Sequence, residues 1–430
     1  MISKNSKLKI IIFSAVILLG NFCFIADSIA FYTYRSTTPL WVYPLGRQFV
    51  NGVAISSDGT YITAICDNNP SSIYDPDEGI LYLFNNSISK NKTPLWNYSI
   101  LNSFYSVDIS SDGRNIVVGG DPDDKTVYLF NSSHSTPQWT YNTGDWVYDV
   151  RISDDGSYLA VASGSRRVFF FNTSEASPIS IYYTTGRALR VAISSNGDYL
   201  SATDNALKIY FYNTSKSSPE WTYTISGDMG SKLSISSDGN YIVGGCRNVL
   251  LFNKTSSIPL WNKELSDDMG SIKISKDGDY IVVGGDYNDY NVYFLNRSNP
   301  NPEWTYTTRD SIVSVDISDN GDYIIAHGLD QFVYLFSKNS STPIWKYKLD
   351  SWFSSSRDYS LGISSDGKYI VAAGRHYIYL FDRDIITPRQ IIEGYGTFIT
   401  ILTIVIIILV VVVAVFPFKN KIKRNSHEEN

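Results

Sequence analysis

Hydrophobic and polar residues alternate along this chain in short bursts that return at a regular interval. The stretch Val53-Ala54-Ile55-Ser56-Ser57-Asp58-Gly59-Thr60-Tyr61-Ile62 sets the form: apolar alternation, a Ser-Asp-Gly or Asn-Gly turn, then apolar alternation again. Seven further copies begin at Val107, Val150, Val191, Leu233, Ile272, Val315 and Leu361. Their turn glycines are Gly59, Gly113, Gly156, Gly197, Gly239, Gly278, Gly321 and Gly367, spaced by 54, 43, 41, 42, 39, 43 and 46 residues. Alternation with a period of two predicts strands, and the glycine behind Asp or Asn predicts a two-residue hairpin turn. Each unit therefore opens with a β-hairpin.

Two more pieces complete the unit. An aromatic-rich run ending in a polar residue follows each hairpin, as in Val127 to Asn131 and Val168 to Asn172, and predicts a third strand. A Pro-x-Trp run comes next in six units, from Pro94-Leu95-Trp96 to Pro343-Ile344-Trp345. Proline at the start of a strand leaves no ladder donor missing, so this is a fourth strand. Four strands repeated with a period of roughly forty residues describe a propeller blade. The ends fit closure: an extra Pro39-Leu40-Trp41 precedes the first hairpin, and the last copy, Pro388-Arg389-Gln390, lacks its tryptophan. The segment around Trp41 is expected to supply the outer strand of the last blade, leaving no free edge.

On these residues the chain resembles the WD-repeat propellers, through Val-x-Ile-Ser-x-Asp-Gly-x-Tyr-Ile followed by Val-Tyr-Leu-Phe. The passage from Phe-Asn to Pro-Leu-Trp resembles quinoprotein-type propeller repeats. The resemblance covers residues 37 to 385. It departs from both patterns: Gly-His does not consistently precede the hairpin, and Phe-Asn stands where a WD repeat has Trp-Asp. The expected fold is all-β, an eight-bladed propeller of four-stranded blades, with one C-terminal transmembrane helix. Fold alone does not decide function.

The ends of the chain change the picture from a soluble ring to an anchored one. Lys4, Lys7 and Lys9 precede an apolar run beginning at Ile10, and Ser28-Ile29-Ala30 offers small residues for cleavage, so residues 1–30 read as a signal peptide. An uncleaved anchor is the alternative. Residues 31–385 are then the propeller ectodomain, 386–396 a juxtamembrane linker, 397–418 a transmembrane helix and 419–430 a basic cytoplasmic tail. The apolar run is long enough to span, and Lys419, Lys421, Lys423 and Arg424 behind it place the tail inside the cell and the propeller outside.

Composition excludes more than it selects. With 32 tyrosines and 14% aromatic residues the chain can bury a large β core, and a net charge of −6 gives no reason to expect nucleic acid. Cys66 and Cys246 fall on opposite sides of an eight-fold ring and read as two buried thiols. No cofactor and no metal site is expected: the four histidines have no ligand spacing, and the adjacent cysteines of quinone-dependent dehydrogenases are absent. Acidic loops at 67–79, 121–124 and 286–289 match no calcium-loop spacing and read as tight turns.

Binding residues are expected on the loops that lead into each hairpin and on the inserted loop of the first unit, because a repeat scaffold positions such loops and tolerates their length. The candidates are Asp75, Asp77, Glu78, Trp146, Arg187, Arg309, Trp352 and Phe353. Asp108 with Arg151, and Lys273 with Asp316, occupy equivalent positions in neighbouring units and are expected to form interblade ion pairs that fix register. Nine Asn-x-Ser/Thr sequons mark glycosylation candidates at Asn85, Asn91, Asn97, Asn131, Asn172, Asn213, Asn253, Asn296 and Asn339. Six of these share one place in the repeat, where duplication of a good turn also explains them. The expected function is a membrane-anchored, non-catalytic platform binding an unknown protein or glycan outside the cell. Alternatives are a cell-envelope quinone- or metal-dependent oxidoreductase and a purely architectural envelope protein.

Overall fold

The structure is a computed structural model, and it describes residues 37–68, 78–87, 92–227, 231–349 and 361–385. The signal, linker, span and tail segments lie outside these residues, as do Asp75, Asp77, Asn91, Trp352 and Phe353. Among the described residues no helix is long and apolar enough to cross a membrane.

Thirty-two strands form eight antiparallel four-stranded sheets, seven of them in simple sequence order. The blades span residues 48–100, 104–142, 147–183, 188–224, 232–264, 269–307 and 312–348, with blade eight at 361–382. Blade eight takes its outer strand from Trp41–Pro44, which pairs with Tyr377–Asp382 in the register Trp41↔Leu380. The expected closure is therefore present. Apolar alternation buries each blade against its neighbour, so the core is divided among blade boundaries. Val117, Val127 and Leu129 of blade two, for example, pack on Val150, Leu159 and Phe171 of blade three. At the closing boundary Trp41 and Leu380 meet Val53, Ile62 and Phe84 of blade one.

The turn between the first two strands is longer than the sequence pattern predicts. The Ser56 amide donates to the Tyr61 carbonyl across four residues, and the Gly59 amide donates back to the Ser56 carbonyl. The Ser56 hydroxyl donates to Asp58 Oδ1 at 2.7 Å and accepts the Tyr61 amide at 3.0 Å. Two polar side chains ahead of the glycine, Ser56 and Asp58, thus replace the two-residue turn with a four-residue one. All eight turns repeat the serine-to-amide bond, from Ser56 with Tyr61 to Ser364 with Tyr369. Partial burial alone would raise the carboxyls of Asp58, Asp155 and Asp238, but the hydrogen bonds of the turn outweigh it and hold them below the usual range. Gly113 shows why the turn needs glycine. Its φ is +71°, and an added Cβ would lie 2.4 Å from the Tyr61 ring of the preceding blade.

The fourth-strand tryptophans fasten one blade to the next. Trp96, Trp139, Trp221, Trp261, Trp304 and Trp345 each donate their indole N–H to a backbone carbonyl of the following blade, at 2.7 to 3.3 Å. Blade three lacks the tryptophan, and the Tyr182 hydroxyl makes the equivalent bond to the Thr214 carbonyl at 3.3 Å.

Candidate functional site

The up-and-down order of the four strands puts the Ser-x-Asp-Gly turns on one face of the ring. The loops leading into each blade, and those joining its second and third strands, lie on the other. Trp146, Arg187 and Arg309 stand on this lead-in face, as does Glu78 at the base of the inserted loop. Asn68 closes that base, donating its side-chain amide to Glu78 Oε2 at 2.9 Å. Arg309 is exposed, and its amide donates to Asp330 Oδ2 at 3.3 Å.

Six innermost strands carry a bulge at the same place, next to this face. The register slips between Val50 and Gly52, Phe104 and Ser106, Val147 and Asp149, Ala188 and Arg190, Met269 and Ser271, and Ile312 and Ser314. The extra residues are Asn51, Tyr105, Tyr148, Leu189, Gly270 and Val313. A bulge frees a side chain from the alternation of the strand and re-aims it. Two aromatic residues occur at these positions, in adjacent blades two and three.

Trp146 joins them. Its ring lies 5.2 Å from Tyr105, edge-on, and 4.6 Å from Tyr148, while the two tyrosines are 6.1 Å apart. The loop is held firmly: Gly144 at φ +84° accepts no other residue without strain, the Trp146 amide donates to Asp145 Oδ1, and its carbonyl accepts the Gly164 amide. The indole nitrogen is buried without a hydrogen-bond partner. Such a donor is costly to leave unmatched. Arg187 of blade four is exposed beside the cluster. Burial raises the Tyr148 hydroxyl, and the Arg187 guanidinium opposes it. The patch offers aromatic faces and a cation.

Sequence reasoning named Trp146 and Arg187, which the structure places at this patch, but not Tyr105 and Tyr148. The overlooked signal was an aromatic residue two positions before the start of the apolar alternation, where a bulge breaks the period of two.

The four charged residues at equivalent positions serve a different local need. The innermost strand of each blade is an edge whose outward N–H groups have no ladder partner. Asp108 accepts the Ile152 amide of the next blade at 3.0 Å and its neighbouring Ile109 amide at 3.0 Å. Asp316 does the same for Ile363 at 3.2 Å and Ile317 at 3.0 Å. Burial raises both carboxyls, opposed by Arg151 at Asp108 and by Lys273 at Asp316. Arg151 itself lies 3.4 Å from buried Asp149 on its own strand. Asp149 in turn accepts the Val191 amide of blade four at 3.0 Å.

The recurrent sequons are turns first. Oδ1 of Asn131, Asn172, Asn213, Asn253 and Asn296 accepts the amide two residues on, and the hydroxyl of that Ser or Thr donates to the same oxygen. Asn85 accepts the Ser87 hydroxyl at 2.6 Å. Asp382 makes the same turn with the Asp384 amide outside any sequon, so the place in the repeat demands this geometry. Asn97 is exposed on an outer strand, and the Asn339 amide donates to Ser337 Oγ.

The acidic loops at 121–124 and 286–289 are likewise consumed internally, while most of the loop at 67–79 lies outside the described residues. Asp121 accepts the amides of Asp123, Asp124 and Ser103, while Asp289 accepts Tyr293, Asn291 and the Ser266 amide. Among the described residues no group of three His, Cys, Asp or Glu side chains is placed to hold a metal ion. Cys66 and Cys246 are buried thiols with no disulfide between them, as the sequence implies.

Comparison with known proteins agrees with the geometry. The WD domain, G-beta repeat family model matches residues 100–131 and 135–172. The matched segments, which end in blades two and three, are similar to WD repeats. Each match ends where the third strand of a blade ends, at Asn131 and Asn172. These two blades also hold the aromatic cluster. No curated protein matches the chain. Among solved structures, Sqt1 from Chaetomium thermophilum superposes with a TM-score of 0.68 at 14% identity, covering 81% of this chain and 99% of that one. A structure of the same protein bound to the N-terminus of the ribosomal protein L10 gives a TM-score of 0.66 at 14% identity, covering 81% and 100%. At this identity the likeness concerns the fold.

Proposed function

We propose that this propeller is a non-catalytic protein-binding platform whose contact surface is the lead-in face at blades two to four. The observation that carries the reading is the cluster of Tyr105, Trp146 and Tyr148, with its buried, unmatched indole N–H and Arg187 at its rim. Rigid aromatic side chains and arginine supply most of the energy at protein interfaces, and the exposed Arg187 guanidinium favours a partner that brings a carboxylate. The use of a similar fold by Sqt1, which binds a protein N-terminus, supports the same class of partner here. The apolar run 397–418, with the lysines behind it, supports single-pass anchoring with this face displayed outside the cell.

Peptide-display selection on the purified full chain tests the reading. Binders are expected to lose at least ten-fold in affinity on Trp146→Ala or Tyr148→Ala, equivalent to about 1.4 kcal/mol, and to be unaffected by Ile258→Ser. Binders that ignore both aromatic substitutions would move the surface elsewhere. Selection that succeeds only with oligosaccharides would replace protein by glycan as the ligand class.

A further inference from the structure

The opposite face has a closed mouth. The second residue of each Ser-x-Asp-Gly turn, or in blade three the second and third, meets the turn of the next blade, and backbone hydrogen bonds cross all eight boundaries. Ser57 donates to Ser111, Ser111 to Asp154, Asp155 to Ser195, Ser195 to Ser237, Ser237 to Lys276, Lys276 to Asp319, Asp319 to Ser365, and Ser365 back to Ser57, at 2.8 to 3.4 Å. The belt is continuous around the axis.

Its side chains point to one place. Lys276 Nζ lies 3.0 Å from Asp154 Oδ2, 3.1 Å from Asp319 Oδ2 and 3.4 Å from Ser57 Oγ. These acceptors belong to blades three, seven and one, whereas Lys276 belongs to blade six. An ammonium group has three N–H donors, and here three acceptors from three other blades receive them. The acceptors are themselves held: Ser195 donates to Asp154, Ser365 donates to Asp319 Oδ2 at 2.5 Å, and the Ser57 hydroxyl donates to Ser111 Oγ at 2.9 Å. Such wiring fixes the oxygens independently of the lysine.

We propose that this axial mouth is a receptor for a primary ammonium group, occupied in cis by Lys276. The receptor oxygens carry two negative charges against one positive, so they attract a cation whether or not it is covalently attached. Burial alone would lower the Lys276 amine, yet Asp154 and Asp319 outweigh it and hold it above the ordinary lysine value. The site is independent of the partner surface on the lead-in face.

Chemical rescue tests this on the full chain. Lys276→Ala is expected to lower the melting midpoint by about 2–6 °C. Added n-butylammonium, which replaces the missing stem and head, is expected to restore at least half of the loss in a saturable manner. Tetramethylammonium and potassium at equal ionic strength should not, and wild type should not respond. Unchanged stability of Lys276→Ala, or equal rescue by all three cations, would overturn the proposal. Should Lys276→Ala fail to fold, reductive methylation decides. Lys276 in wild type is expected to react about ten-fold more slowly than exposed Lys216, and Asp154→Asn to remove that protection. Equal rates in wild type would overturn it too.

Discussion

His327 shows how one residue can couple the ring to pH. It lies on the second strand of blade seven, opposite Ser314, and is 1% exposed. Burial penalises the imidazolium and pushes its pKa down from 6.5 to about 4. The unfolded chain therefore binds a proton that the folded chain refuses between these values. Stability from the neutral ring is fully present above pH 6.5 and is lost as pH falls towards 4, by about 3 kcal/mol. A urea-midpoint series from pH 7 to pH 4 should show this slope in wild type and a shallower one in His327→Gln. The sequence displayed His327 as an unspaced histidine, which excluded a metal pair but said nothing of burial. Burial follows from register against Ser314 and from the facing blade, neither of which a single residue reveals.

At the scale of the element, the turn is where sequence and structure stand closest. Ser, Asp or Asn, and Gly in fixed order located all eight turns. The four-residue length escaped the pattern because it depends on the Ser56 hydroxyl reaching the Tyr61 amide. The two reasons for glycine can be separated experimentally. Gly113 has both a positive φ and a tyrosine ring at the place of a Cβ, whereas Gly144 has φ +84° and nothing within 4 Å. Gly144→Ala should cost about 1 kcal/mol, from backbone strain alone. Gly113→Ala should cost about 2–4 kcal/mol, because the Tyr61 ring must also move. Equal denaturant midpoints for the two would show that the ring yields freely. The bulges were not legible for the complementary reason. They interrupt the very alternation that identifies a strand, and so Tyr105 and Tyr148 went unassigned while Trp146, in a recognisable loop, did not.

The described residues form a ring whose blades are joined by the same device at seven boundaries. Six indoles and the Tyr182 hydroxyl each reach the next blade, but at the closing boundary the Trp41 indole is buried without a partner. Trp139→Phe should destabilise by about 1 kcal/mol more than Trp41→Phe, since the first strands the Thr173 carbonyl and the second removes a donor already unmatched. Calorimetry of both variants measures the difference. Closure itself was legible, because a spare Pro-Leu-Trp at one end and a missing tryptophan at the other state the same fact twice. The belt around Lys276 was not, since residues 57, 154, 276 and 319 meet only when eight turns are brought to one axis.

The closing boundary has a mechanical side. Thr37 Oγ1 donates to the Ile385 carbonyl at 2.6 Å, so the chain enters and leaves the ring at one point of its rim. Tension applied between the two ends falls first on the short Trp41–Pro44 strand, which is peeled from Tyr377–Asp382 one register pair at a time. The other seven blades carry no load until that strand has peeled away. The seam acts as a fuse, and a wheel hung from its rim would fail there before any spoke did.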